Sequence, residues 1–141
     1  TGEKHNRQTD LKSGLEFCQQ LLKRRSILFV VSDCRDDGYW QALQGLNQRH
    51  DVVLVQVVDP IDTVLPEVGL VRMQAAESGV QQWIDTRSPD WQHFLSEKQQ
   101  GFVDQVEHRS RRAGIDHIVL STDQEAIEPL LAFMRRREKR R

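Results

Sequence analysis

A chain of 141 residues with a formal net charge of −1 makes one ordinary domain with room for a real core, and it sets up no overall field toward nucleic acid. The charge is uneven: residues 135–141 hold six basic side chains and one acid, net +5, which leaves −6 for the rest. No apolar run is long enough to cross a membrane and no signal peptide is visible. The two cysteines, Cys18 and Cys34, lack metal-type spacing, which argues against a disulfide framework and for a reducing, cytoplasmic setting.

The first eight residues are polar and read as a flexible N-terminal segment. Thr9 is placed to cap a helix over 10–24, on which Leu11, Leu15, Cys18, Leu21 and Leu22 recur at helical spacing. The run 26–32, Ser-Ile-Leu-Phe-Val-Val-Ser, is apolar without alternation, as in a strand buried on both faces of a parallel sheet; Asp33 then falls at its carboxyl end, where open α/β sheets hold ligands. A helix over 39–49 turns Trp40, Leu43 and Leu46 inward. Residues 51–58 form a second apolar strand ended by Asp59-Pro60, and 61–67 is a loop.

The runs 69–75 and 80–85 flank Glu77-Ser78-Gly79 and predict a β-hairpin. Ser88-Pro89 opens a long helix over 90–112, with Trp91, Phe94, Leu95, Phe102, Val103 and Val106 inward and Gly114 ending it. Residues 116–120 give the last strand. Thr122 with Glu125 has the spacing of a capping box for a final helix carrying Ile127, Leu130, Leu131 and Phe133; Pro129 calls for a kink or a late start. Helices alternating with strands specify an α/β fold, here three parallel strands plus a hairpin.

Several stretches occur together in one order: Thr9-Asp10-Leu11, Lys23-Arg24-Arg25-Ser26 running into Val-Val-Ser-Asp33, Arg49-His50-Asp51-Val52-Val53 and Asp59-Pro60. Then come Leu65-Pro66-Glu67-Val68-Gly69-Leu70, Ala76-Glu77-Ser78-Gly79, Asp85-Thr86, Leu120-Ser121-Thr122-Asp123 and the arginine-rich ending from Phe133. This pattern resembles the second half of a von Willebrand factor A-like domain, and more narrowly the bacterial "domain of unknown function fifty-eight" family, commonly encoded beside MoxR-type AAA+ ATPases. The resemblance implies a doubly wound sheet with a metal-ion-dependent adhesion site at its strand ends. Three loops supply that site: an Asp-x-Ser-x-Ser motif, a Thr matched by Thr9, and an Asp matched by Asp33. Such oxygens suit Mg²⁺.

The Asp-x-Ser-x-Ser motif is absent, and the sequence before Thr9 is too short for three further strands. The expectation is therefore residues 9–134 as the C-terminal half of such a domain, with 135–141 as a basic tail. Thr9 and Asp33 are then an incomplete metal site: no cofactor in this chain, Mg²⁺ in a longer parent.

Each candidate has a plainer reading. Thr9 also serves as a helix cap, and Asp33 as a turn former. Asp36, Asp37, Asp59 and Asp62 add acid around the same rim or form a solvated loop. The histidines His5, His50, His93, His108 and His117 show no metal-ligand or triad spacing, and Trp40, Trp83 and Trp91 read as core. Arg135, Arg136, Arg137, Lys139, Arg140 and Arg141 suit an anionic surface or a solvated helix end. The function that the resemblance implies is a non-catalytic protein-interaction module assisting a MoxR-type ATPase, in a parent with membrane helices upstream. The alternatives are a small Mg²⁺-dependent hydrolase using Asp33 and Asp59, and an anionic-surface or nucleic-acid binder through the basic tail; nucleic acid is the least expected partner. The strand over 26–32, lacking its neighbour, becomes an exposed edge through which two copies associate.

Overall fold

The computed structural model describes residues 10–36, 38–60, 69–74 and 78–140. Helix α1 (Leu11–Leu21) turns Leu15 into the core. Its cap is Asp10, whose carboxylate accepts the Ser13 N–H at 3.1 Å; Thr9, expected in that role, lies outside the described residues. The helix stops three residues short of the expected end, and Leu22 closes it with its N–H on the Cys18 carbonyl. Strand β1 (Ile27–Ser32), helix α2 (Trp40–Arg49) and strand β2 (Asp51–Val58) follow. Strands β3 (Leu70–Gln74) and β4 (Gln81–Asp85) pair antiparallel as the expected hairpin. Helix α3 (Pro89–Arg112), strand β5 (Asp116–Ser121) and helix α4 (Ile127–Lys139) complete the chain.

The three-stranded sheet is parallel throughout, in the order β1-β2-β5. β2 is central because it carries the longest apolar run, and Val52, Val53, Leu54 and Val55 are all buried. Side chains alternate between faces. Leu28, Val30, Val52 and Leu54 pack with Leu15 of α1, Leu43 and Leu46 of α2, and Val106 of α3. Val53, Val55 and Ile118 point the other way and meet Phe133 and Leu130 of α4. Those of these side chains that are fully buried contribute about 1.5–3 kcal/mol each.

Helix α4 covers the sheet over β2 and β5. The same face of β1 is left bare: Ile27, Phe29 and Val31 are 49%, 45% and 63% exposed. They stand in register with Asp51, Val53 and Val55. Thus β1 is half-covered, where its sequence predicts burial on both faces.

Polar ties hold the layers in place. The Asn47 amide reaches the carbonyls of Ala113 and Gly114 at 3.4 and 3.3 Å, and its oxygen accepts the Val52 N–H. His50, buried, accepts the Ser26 N–H through Nδ1 at 3.1 Å, while Asp51 donates to the Ser26 carbonyl. These bonds pin the start of β1 to β2.

Other expectations are corrected. Trp83 is exposed, on the outer side of the hairpin, and Phe94 and Leu131 are about half exposed. Thr122 and Glu125 form no capping box. Helix α4 starts at Ile127 with no side-chain cap, so Pro129 occupies its first turn, where the missing N–H costs nothing. That is the late start the proline called for. Among the described residues no helix is long and apolar enough to cross a membrane.

Candidate functional site

The carboxyl ends of β1 and β2 gather the polar residues singled out from the sequence. Where β1 ends, the chain must turn sharply. Ser32 Oγ accepts the Cys34 N–H at 3.0 Å, and Asp33 Oδ1 accepts the Arg35 N–H at 3.1 Å. Between them Cys34 takes a left-handed conformation, φ 62°, which costs a non-glycine residue about 1–2 kcal/mol. Burial of its side chain against Tyr39 and Trp40 offsets that cost. The same burial pushes the Cys34 thiol up to about 11, so it stays protonated and unreactive. Tyr39 is likewise shifted upward by burial.

Asp33 is left exposed and, with Arg35, Gln56 and Phe102, lines a cavity of about 420 Å³. The Arg35 guanidinium lies over the Phe102 ring, 4.2 Å from its centre. Gln99 of α3 donates to the Asp59 carbonyl at 3.3 Å across the same opening. Asp36 Oδ2 accepts the Leu11 N–H at 3.0 Å, which ties this loop to the N-terminus of α1, where a carboxylate is favoured by the helix dipole. So the fold brings Asp33, Asp36 and the start of α1 into one region. Asp37, Asp62 and Thr9 lie outside the described residues.

Among the described residues the donor set does not make up a Mg²⁺ site. Such an ion wants about six oxygens in near-octahedral array. Ser32 and Asp33 offer a hydroxyl and a carboxylate, each already accepting a backbone N–H. Among the described residues no three His, Cys, Asp or Glu side chains gather as a metal would require.

One polar pairing was not visible in the sequence. Gln56 is fully buried, and its Oε1 lies 2.9 Å from His117 Nε2. Burial lowers the His117 pKa, against an opposing pull from Glu107; the neutral ring donates to the amide. Gln56 Nε2 has no partner among the described residues. The signal was a single amide inside Val-Val-Leu-Val-Gln-Val-Val, where alternation alone cannot say what it meets.

The basic residues divide. Arg135, Arg136, Arg137 and Lys139 lie within α4 rather than in a separate tail, and Arg141 is outside the described residues. Arg137 turns inward: its guanidinium pairs with Asp51 and lies 3.8 Å from Asp116, with Phe133 beneath it. It therefore leaves the group of candidates for an anionic surface. Arg135, Arg136, Lys139 and Arg140 remain exposed, and Arg136 and Arg140 border a cavity of about 240 Å³ beside Asp116 and His117.

Comparison with known proteins gives a family and no activity. An uncharacterised protein of Mycobacterium avium is 29% identical over 133 residues, covering 92% of this chain and 77% of that protein. Uncharacterised proteins of Mycobacterium bovis and Mycobacterium tuberculosis are 36% identical over 72 residues, half of this chain but only 23% of each of theirs. No solved structure matches. A family model matches residues 2–101, well over half of the chain, and on that match the chain belongs to the family described as "Protein of unknown function DUF58".

Proposed function

We propose that this chain is the C-terminal half of a von Willebrand factor A-like domain and works as a non-catalytic protein-interaction module for a MoxR-type AAA+ ATPase in the cytoplasm. The observation that carries this reading is the outer face of the β3-β4 hairpin. Leu70 and Trp83 lie on one side of it, each 68% exposed. Large aromatic and aliphatic side chains presented this way lose contact with water only when a partner covers them. The parallel order β1-β2-β5 supports the architectural part, because it is what the second half of a doubly wound sheet would contribute. In a longer parent, Thr9 and Asp33 join an Asp-x-Ser-x-Ser loop around Mg²⁺; in this chain they stand as two ligands of an unfinished set.

Capture of a purified MoxR-type ATPase from the same genome on the immobilised chain tests the proposal. Trp83→Ser is expected to reduce capture about tenfold or more, as for a buried aromatic anchor. Equal capture by the variant, or no capture at all, counts against it. Mg²⁺-dependent hydrolysis of a phosphate ester by the purified chain would overturn the non-catalytic reading.

A further inference from the structure

Strand β1 bonds to β2 along one side, and no described strand bonds to the other. The Ser26 carbonyl accepts the Asp51 N–H at 2.9 Å, so its main-chain groups point toward β2. These groups alternate along a strand, so those of Ile27, Phe29 and Val31 point out of the open edge. The same three side chains lie on the face that α4 leaves uncovered. Unpaired backbone and bare apolar surface coincide on three residues, which is an adhesive edge.

The edge matches itself. Antiparallel pairing about Phe29 puts Ile27 opposite Val31 of a second copy, Phe29 opposite Phe29, and Val31 opposite Ile27. Every outward N–H and C=O of these residues then finds a partner, and a two-fold axis perpendicular to the sheet places both uncovered faces on the same side of it. Charge fixes the register. Centred on Phe29, exposed Arg25 of each copy stands opposite exposed Asp33 of the other. Slid to centre on Val30, Arg25 would face Arg35; slid to centre on Leu28, it would face Val31. Only the first arrangement joins apolar residues to apolar ones and base to acid at both ends.

We infer that β1 pairs with β1 of a second copy in this register, closing two three-stranded sheets into one continuous sheet with Arg25 and Asp33 as reciprocal ion pairs. This deepens the interaction-module reading but uses a surface separate from the hairpin, so the two stand or fall apart. A monomer that still captures the ATPase would remove the dimer alone, and a dimer that captures nothing would remove the ATPase alone.

Sedimentation equilibrium of the full chain over a range of concentrations reads the association. A concentration-dependent dimer is expected. Arg25→Glu or Asp33→Arg alone places like charges opposite each other twice and is expected to raise Kd about tenfold, while the double swap returns it to within about threefold of the original. Phe29→Lys is expected to abolish the dimer; should that variant fail to fold by circular dichroism, the swaps decide. A monomer at every concentration, as when a strand from elsewhere fills the edge, overturns the inference. So does a dimer indifferent to the single swaps, or one the double swap fails to restore.

Discussion

His117 and Gln56 show what one polar pair does inside an apolar sheet. The amide is fully buried and the ring half-buried, and the hydrogen bond between them suits neutral imidazole. Burial lowers the folded-state pKa of His117 below its ordinary value of 6.5. As pH falls, the unfolded chain therefore takes up this proton first. Stability is whole above about pH 6.5, declines as pH drops through it, and levels off once the folded ring also titrates. Urea unfolding at about pH 7.5 and about pH 5.5 checks the sign: the native chain is expected to lose more of its midpoint on acidification than His117→Gln, which cannot charge. Equal losses would assign the acid sensitivity to other groups. Neither partner was legible as part of a pair, because 61 positions separate them and only the register Leu54↔His117 brings them side by side.

Helix α4 shows how an element is placed by one side chain. Leu130, Phe133 and Arg137 share a stripe at helical spacing, and the last of these ties the helix to the starts of β2 and β5 through Asp51 and Asp116. Arg137→Ala leaves both carboxylates partly buried without their cation. It is expected to cost about 1–2 kcal/mol in urea unfolding, less than a fully buried pair because water reaches this one. Arg136→Ala, on the exposed side, is expected to stay within about 0.5 kcal/mol; similar losses for both would contradict the docking role. Composition hid this distinction, since three consecutive arginines look alike until the phase set by Phe133 sorts them. The elements themselves were readable. Apolar runs marked β1, β2 and β5, a glycine-bearing turn marked the hairpin, and helical spacing marked α1 to α3. The differences fell at ends, where local chemistry competes: Asp10 meets the orphan N–H of Ser13, and a proline in the first turn moved the start of α4 past its expected box.

The molecule as a whole is a parallel sheet closed on one side and open on the other. At β5 and β2 helices pack on both faces; at β1 one face is bare and no described strand pairs with its outer edge. The sequence of β1, apolar at every position from Ile27 to Val31, suits a strand with neighbours all round. That mismatch between composition and surroundings points outward, to something that completes the sheet. Of the site at the strand ends, Asp33 was legible from its place after an apolar run. The cleft beside it was not, because Arg35, Gln99 and Phe102 meet only after α3 folds back over β2. Amide hydrogen exchange along β1 asks the question most directly. If a second copy completes the sheet, the outward N–H groups of Phe29 and Val31 exchange slowly in concentrated protein, and become fast on dilution or in Arg25→Glu, while the β2-facing N–H of Leu28 stays slow throughout. Fast exchange at Phe29 and Val31 at every concentration would contradict the account.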